Sequence, residues 1–148
     1  MPKPETPQFD LARFLPYRLN AAAARISRAF ARRYREDFGL SIAEWRVLAH
    51  LHAAAGQPVS IRDIEASADL EKSTASRTAA RLAEAGLVAR AARDSDRRLL
   101  TLTLTEAGEK LMARLIPVAL EFQAELLAEL GPAAAGLVAA LDAMEPQG

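Results

Sequence analysis

The hydrophobic period of this chain changes at Gly86, and that change constrains the fold more than any other feature. Before it, apolar residues recur every three or four positions. After it, Leu87-Val88-Ala89-Arg90 and Leu99-Leu100-Thr101-Leu102-Thr103-Leu104 read as two strands, the second with Thr alternating against Leu. Residues 91–98, rich in Arg and Asp, read as the polar tip between them. Helical spacing returns after Thr105. The expected class is therefore mainly α with a small β-wing.

Residues 9–38 read as one long helix, in which Leu15, Leu19, Ala22, Ile26, Phe30 and Tyr34 form an apolar stripe. Pro16 falls in a first turn that tolerates it, and Gly39 closes the helix. Ser41 caps a second helix, with Glu44 completing a capping box, and Ile42, Trp45, Val47, Leu48 and Leu51 turned inward. Ser60 caps a short helix reaching about Ala66, a turn follows at Ala68-Asp69-Leu70, and a fourth helix runs over residues 72–85. Glu71 is a poor cap for that helix, and Asp69 serves instead if the helix starts earlier. Thr105 caps a long helix to Leu130, which Pro117 should kink, and Gly131-Pro132 separates it from a last helix ending near Met144.

Composition narrows the function. There is no cysteine, which excludes disulfides, thiolate metal sites and thiol nucleophiles. The two histidines, His50 and His52, stand two apart on a helix and face different ways, so neither a metal site nor any cofactor is expected. Neither a glycine-rich phosphate loop nor an HExxH pattern occurs, so an enzyme is not expected either. No apolar run is long enough to span a bilayer, and residues 1–10 are polar and proline-rich, unlike a signal peptide; the expectation is a cytoplasmic protein with no membrane partner. The net charge of zero hides an asymmetry: residues 1–50 carry nine basic and five acidic side chains, residues 101–148 two and seven. Local charge, not the total, sets the field at a surface.

The order helix, short helix, turn, helix, hairpin is the plan of a winged helix-turn-helix, whose second helix can lie in the major groove. In residues 72–85, Ala75, Ala79 and Leu82 point inward, while Lys72, Ser73, Ser76, Arg77 and Arg81 share the opposite face at spacings of three and four. That face has hydroxyls and long cations, with no carboxylate before Glu84. Hydroxyls donate to phosphates or base edges and arginine pairs bidentately with guanine, so double-stranded DNA is the expected partner. An ordinary solvated face would interleave Glu with Lys and Arg. A winged-helix protein-interaction module without an effector is the alternative, and it calls for an apolar or uncharged face.

Several runs now carry a resemblance: Ser41-Ile42-Ala43-Glu44-Trp45-Arg46-Val47-Leu48, Lys72-Ser73-Thr74-Ala75-Ser76-Arg77, Arg81-Leu82-Ala83-Glu84-Ala85-Gly86-Leu87-Val88, Asp94-Ser95-Asp96-Arg97-Arg98 and Leu104-Thr105-Glu106-Ala107-Gly108. In this order they resemble the MarR family of bacterial transcriptional regulators over residues 40–108. Ala80 departs from the pattern, where such proteins often carry an acid. The resemblance implies a homodimer whose first and last helices interlock, with residues 1–38 and 105–148 as the dimerisation region and 39–104 as the DNA-binding unit. Apolar residues on two sides of the helix after Thr105 agree with that: Leu111, Leu115, Ala119, Phe122, Leu126 and Leu130 on one, Met112, Ile116 and Leu127 on another. The competing arrangement folds Leu137, Val138 and Leu141 back to cover everything within one chain.

The resemblance places Lys72, Ser73, Thr74, Ser76, Arg77 and Arg81 on DNA. Arg98 would enter the minor groove and Arg97 meet phosphate, with Asp94 and Asp96 orienting them. It also implies a repressor released by a small effector, an aromatic acid or an acyl-CoA thioester. Tyr17, Trp45 and His50 can wall such a site, and Arg18 and Arg46 lie near elements expected to be buried. Arg25, Arg28 and Arg32 can extend a positive track, with Arg35 continuing the same stripe. The competing readings pair Arg46 with Glu44 or Asp37, and the arginine stripe with acids of a neighbouring helix.

Overall fold

The computed structural model describes residues 1–93 and 96–147; side chains of Arg93 and of residues 96–99 lie outside that description. Eight main elements follow a 3-10 turn at Leu11–Arg13: α1 (Leu15–Phe38), α2 (Ile42–Ala53), β1 (Val59–Ser60), α3 (Ile61–Ser67), α4 (Lys72–Glu84), β2 (Val88–Arg93), β3 (Asp96–Leu104) and α5 (Glu106–Leu130), and then α6 (Ala133–Met144) closes the chain. The class is the expected one, mostly helical with a small antiparallel sheet.

Local chemistry explains most boundaries. Ser41 Oγ accepts the Glu44 N–H at 3.1 Å and the Glu44 carboxylate accepts the Ser41 N–H at 3.2 Å, so the capping box at α2 forms in full. Ser60 Oγ accepts from the Asp63 N–H at 3.0 Å and starts α3. The first helix is shorter than its periodicity suggests. Phe14 is extended (φ −73°, ψ 117°), so residues 11–13 form a separate turn and α1 begins at Leu15. Pro16, which lacks an N–H, falls in the first turn of α1, where that donor would have no intrahelical partner. Asp69 does not cap α4. It sits in the turn with φ 53°, and Glu71 holds the cap position without a side-chain hydrogen bond. α5 continues through Pro117 as one helix.

The sheet is larger than expected, with order β1-β3-β2. Val88 pairs with Leu104, Arg90 with Leu102 and Ala92 with Leu100, so the strands extend into residues read as the polar tip. β1, which has no counterpart among the expected strands, pairs Val59 with Leu102 and Ser60 with Thr101. β3 thus becomes the central strand, and Thr101 as well as Leu102 is buried on it, which breaks the simple alternation.

The core joins α2, α3, α4, the sheet and the facing halves of α1 and α5. Tyr34, Val47, Leu48, Ile64, Leu82, Leu102, Met112 and Leu115 are all buried. Phe30 and Trp45 pack beside Tyr34: Phe30 meets Tyr34 edge-on at 4.9 Å and Trp45 at 5.0 Å, and stacks on Phe122 at 5.2 Å. The ends differ. α6 buries none of its residues, and Val138, Leu141 and Met144 are open. It does not cover the rest of the chain, so the single-chain arrangement is not the one adopted. Among the described residues, no single helix is long and apolar enough to cross a membrane.

Candidate nucleic-acid interface

α4 presents its two faces as the periodicity requires. Ala75, Thr78, Ala79 and Leu82 are buried against α2, α3 and β2. Lys72, Ser73, Ser76, Arg77 and Arg81 are exposed, and Thr74 is half-buried at the margin. Arg77 Nε donates to the Ser73 carbonyl at 3.3 Å, which lays the guanidinium stem along the helix. Among the described residues, none of Lys72, Arg77 and Arg81 forms an ion pair with a carboxylate. Unpaired cations on one rigid, hydroxyl-bearing face need no acidic partner displaced before they meet a phosphate or a guanine edge.

Two exposed cations on the same unit escaped the sequence reading, Arg62 on α3 and Arg90 on β2. In helix-turn-helix docking the first helix crosses the phosphate backbone, which gives a cation on α3 a contact to make. The signal was available: Arg62 follows the Ser60 cap at the second position of a short helix. Asp94 lies outside the described residues. Asp96, Arg97 and Arg98 belong to β3 by backbone, and their side chains lie outside the description.

The residues read as an effector site do not assemble in one chain. Tyr17 and Arg18 are exposed on the first half of α1, so Arg18 is not the near-buried cation expected. Trp45 stacks on Tyr34 at 5.9 Å within the aromatic cluster. His50 Nδ1 donates to the Arg46 carbonyl at 2.7 Å, leaving Nε2 free. Arg46 is half-buried and pairs with neither Glu44, which is engaged in the capping box, nor Asp37.

Among the described residues two cavities stand out, and the first takes in Arg25 and Arg32 of that reading. One, of about 580 Å³, lies between α1 and α5, lined by Arg25, Arg32, Arg33, Glu125 and Glu129 together with Ile26, Phe122 and Leu126. The other, of about 440 Å³, lies between α2, the end of β3 and the start of α5. Arg33, not one of the four stripe arginines, makes the ion pair to Glu125, and that hydrogen bond raises the affinity of its guanidinium for the proton. Arg28 and Arg35 remain exposed on α1. Among the described residues, no group of three His, Asp or Glu side chains could hold a metal ion.

A short helix, a tight turn, an exposed basic helix and a three-stranded wing define a winged helix-turn-helix protein. The pattern that describes the MarR family matches residues 38–99. A MarR family transcriptional regulator from Silicibacter pomeroyi is 30% identical, with 91% of this chain and 90% of that one aligned at a TM-score of 0.72. A MarR/EmrR family regulator from Acinetobacter sp. ADP1 is 25% identical over 90% and 92% of the two chains, at a TM-score of 0.75. BpsR of Bordetella bronchiseptica, whose DNA binding is regulated by 6-hydroxynicotinic acid, shares the fold at 23% identity, 91% and 94% coverage and a TM-score of 0.74. No curated protein matches the chain. The chain belongs to the MarR family of transcriptional regulators.

Proposed function

We propose that the chain works as a two-fold dimer that binds near-palindromic duplex DNA, represses the adjacent genes in the cytoplasm, and is released by a small anionic or aromatic effector. The observation that carries the DNA reading is the exposed face of α4, with unpaired Arg77 and Arg81 and no carboxylate before Glu84. In this reading Arg77 and Arg81 address base edges, while Lys72, Ser73, Thr74 and Ser76 hold phosphates. Arg98 enters the minor groove beside the wing and Arg97 meets phosphate, oriented by Asp94 and Asp96. Residues 39–104 form the DNA-binding unit, and 1–38 with 105–148 the dimerisation region. What supports the dimer is apolar surface at both chain ends: Phe9, Leu11, Phe14 and Leu15 at one, Val138, Leu141 and Met144 at the other.

The effector site lies between those two parts. His50 Nε2, Arg46, and the α1 cations Arg25 and Arg28 are its polar groups, and Trp45 its apolar wall, with Tyr17 and Arg18 brought in by the second copy. BpsR, which shares the fold, responds to an aromatic acid.

Selection of bound duplexes from a random pool, followed by gel shift at physiological salt, tests the DNA reading. The expected product is an inverted repeat with half-sites about 10 base pairs apart centre to centre. Arg77→Ala should cost about 1–3 kcal/mol and relax preference at one position of each half-site. Equal affinity for random duplex would sink the reading. For the effector, aromatic acids and acyl-CoA thioesters are screened by thermal shift, since a ligand of the folded form raises its stability. A stabilising ligand that leaves DNA affinity unchanged would remove the regulatory claim.

A further inference from the structure

α4 and α5 are joined by contacts that do more than cap two helices. α4 ends with the Gly86 N–H donating to the Ala83 carbonyl at 3.0 Å and the Leu87 N–H to the Leu82 carbonyl at 2.9 Å. Gly86 has φ +76°, a left-handed conformation that this helix ending requires. The carbonyls of Gly86 and Leu87 are then spent, both on Thr105. Its hydroxyl donates to the Gly86 carbonyl at 2.6 Å and its N–H to the Leu87 carbonyl at 3.0 Å. The same hydroxyl oxygen accepts the Gly108 N–H at 3.1 Å and so caps α5. Gly108 is buried, and a Cβ there would stand 2.1 Å from the Leu87 oxygen. The Leu87 carbonyl occupies the place of a side chain in the first turn of α5.

We propose that Thr105 and Gly108 are positioning residues for DNA recognition: they fasten the end of α4 to the start of α5, so that α5 sets the distance between the two recognition helices of the dimer. The inference rests on the dimeric DNA-binding reading. The body of α4 packs on α2, α3 and β2, and α2 in turn packs on α5, so the contacts through Thr105 are the hydrogen-bonded tie between the C-terminal end of α4 and the start of α5. The residues joined are 19 apart in sequence, with the whole wing looped out between them. If they parted, the end of α4 would be held to the 25-residue helix α5 only indirectly, through α2 and the shared core, and its bearing would loosen.

The hydroxyl chemistry supplies a discriminating test. A cap needs only an acceptor, and Asp is as good an N-cap as Thr, favoured further by the positive end of the helix dipole. The fastening needs a donor as well. Thr105→Ser keeps both functions. Thr105→Asp keeps the cap, loses the donor and sets an anionic oxygen against the Gly86 carbonyl. Thr105→Ala, the second variant, loses the hydroxyl altogether.

The probes are the best duplex selected by the wild-type chain and the same duplex with one base pair inserted or deleted at its centre. One base pair rotates the second half-site by about a tenth of a turn, so a rigid dimer should discriminate by about tenfold or more. Wild type and Thr105→Ser are expected to do so, whereas Thr105→Asp and Thr105→Ala should bind all three duplexes within about threefold. Thermal melting reports the cap separately, with Thr105→Asp, which keeps it, melting above Thr105→Ala, which does not. Wild-type discrimination in Thr105→Asp or Thr105→Ala, or its loss in Thr105→Ser, overturns the proposal. A wild-type chain that selects no duplex at all overturns the DNA-binding reading instead, so the two failures are distinct.

Discussion

The middle of this chain and its two ends obey different rules. Every buried apolar side chain in the described residues lies between Ala31 and Leu115. Residues before Ala31 and after Leu115 are half-buried or exposed, although both stretches are helical and rich in leucine, phenylalanine and alanine. The middle closes its own core, because α2, α3, α4 and the sheet each turn an apolar face to the same point. The ends form helices that the rest of the described chain covers only in part: Phe30 and Phe122 stack on each other, while Phe9, Leu120, Val138 and Leu141 stay exposed. Helical propensity makes an element, but only a partner surface makes it buried.

The largest effect should come from breaking the middle at its tightest point. Gly108→Ala puts a methyl where the Leu87 oxygen stands, 2.1 Å away, and backbone must move to admit it. A loss of about 3 kcal/mol or more is expected, read as a fall in the melting midpoint. A loss under about 0.5 kcal/mol, the ordinary range for a surface site, would mean the junction is soft.

The ends are broken by charge. Val138 is 47% exposed and Leu141 also 47%, so in a lone chain Val138→Asp with Leu141→Asp should change little. If a second copy covers α6, the pair buries two carboxylates without partners, and the complex should dissociate. Sedimentation of wild type and variant decides between these outcomes. A variant that sediments as the wild type does would take α6 out of the interface.

The same contrast explains what the sequence could reveal. The capping box at Ser41 and Glu44 and the two faces of α4 are local patterns, set within one or two helical turns, and the structure has them in place. β1 is two residues long, too short for an alternation to register, and Ser60 already reads as a helix cap. The break at Phe14 hid behind Pro16, which a first turn tolerates as readily as a boundary requires it. Thr105 was legible as a cap, but its bond to Gly86 was not, because the partner comes from across the wing. Trp45 read as a cavity wall because aromatic rings often serve so. In this fold it also meets Phe30 edge-on and stacks on Tyr34, and pairing of that kind exists only after α1 has packed on α2.

A smaller effect sits inside α4. Thr78 is fully buried, and its hydroxyl has no hydrogen-bond partner among the described residues. Leaving a hydroxyl dry costs about 1–3 kcal/mol, so Thr78→Val, nearly the same shape, should stabilise the fold by about 1 kcal/mol. DNA affinity should not change, since the side chain faces away from the exposed edge. A destabilised Thr78→Val would show that the hydroxyl is satisfied in solution.

The smallest effect is confined to alkaline pH. Tyr34 is 1% exposed, and burial raises the pKa of its phenol, opposed by the charges of Arg35 and Arg46. The neutral form is the one the core accepts. Below the ordinary tyrosine value of about 10, both folded and unfolded chains keep the proton and this group contributes no pH dependence. Above it the unfolded chain releases the proton first, so the unfolded state binds fewer protons and stability falls as pH rises towards the raised folded value. Tyr34→Phe removes that slope, because no proton is left to release. The gap between the two melting midpoints should therefore change between pH 8 and 11, because wild type loses stability faster than Tyr34→Phe over the alkaline end of that range. Parallel curves for the two chains would mean the phenol reaches water in the folded state, and that the aromatic cluster binding α1 to α2 is looser than the ring distances imply.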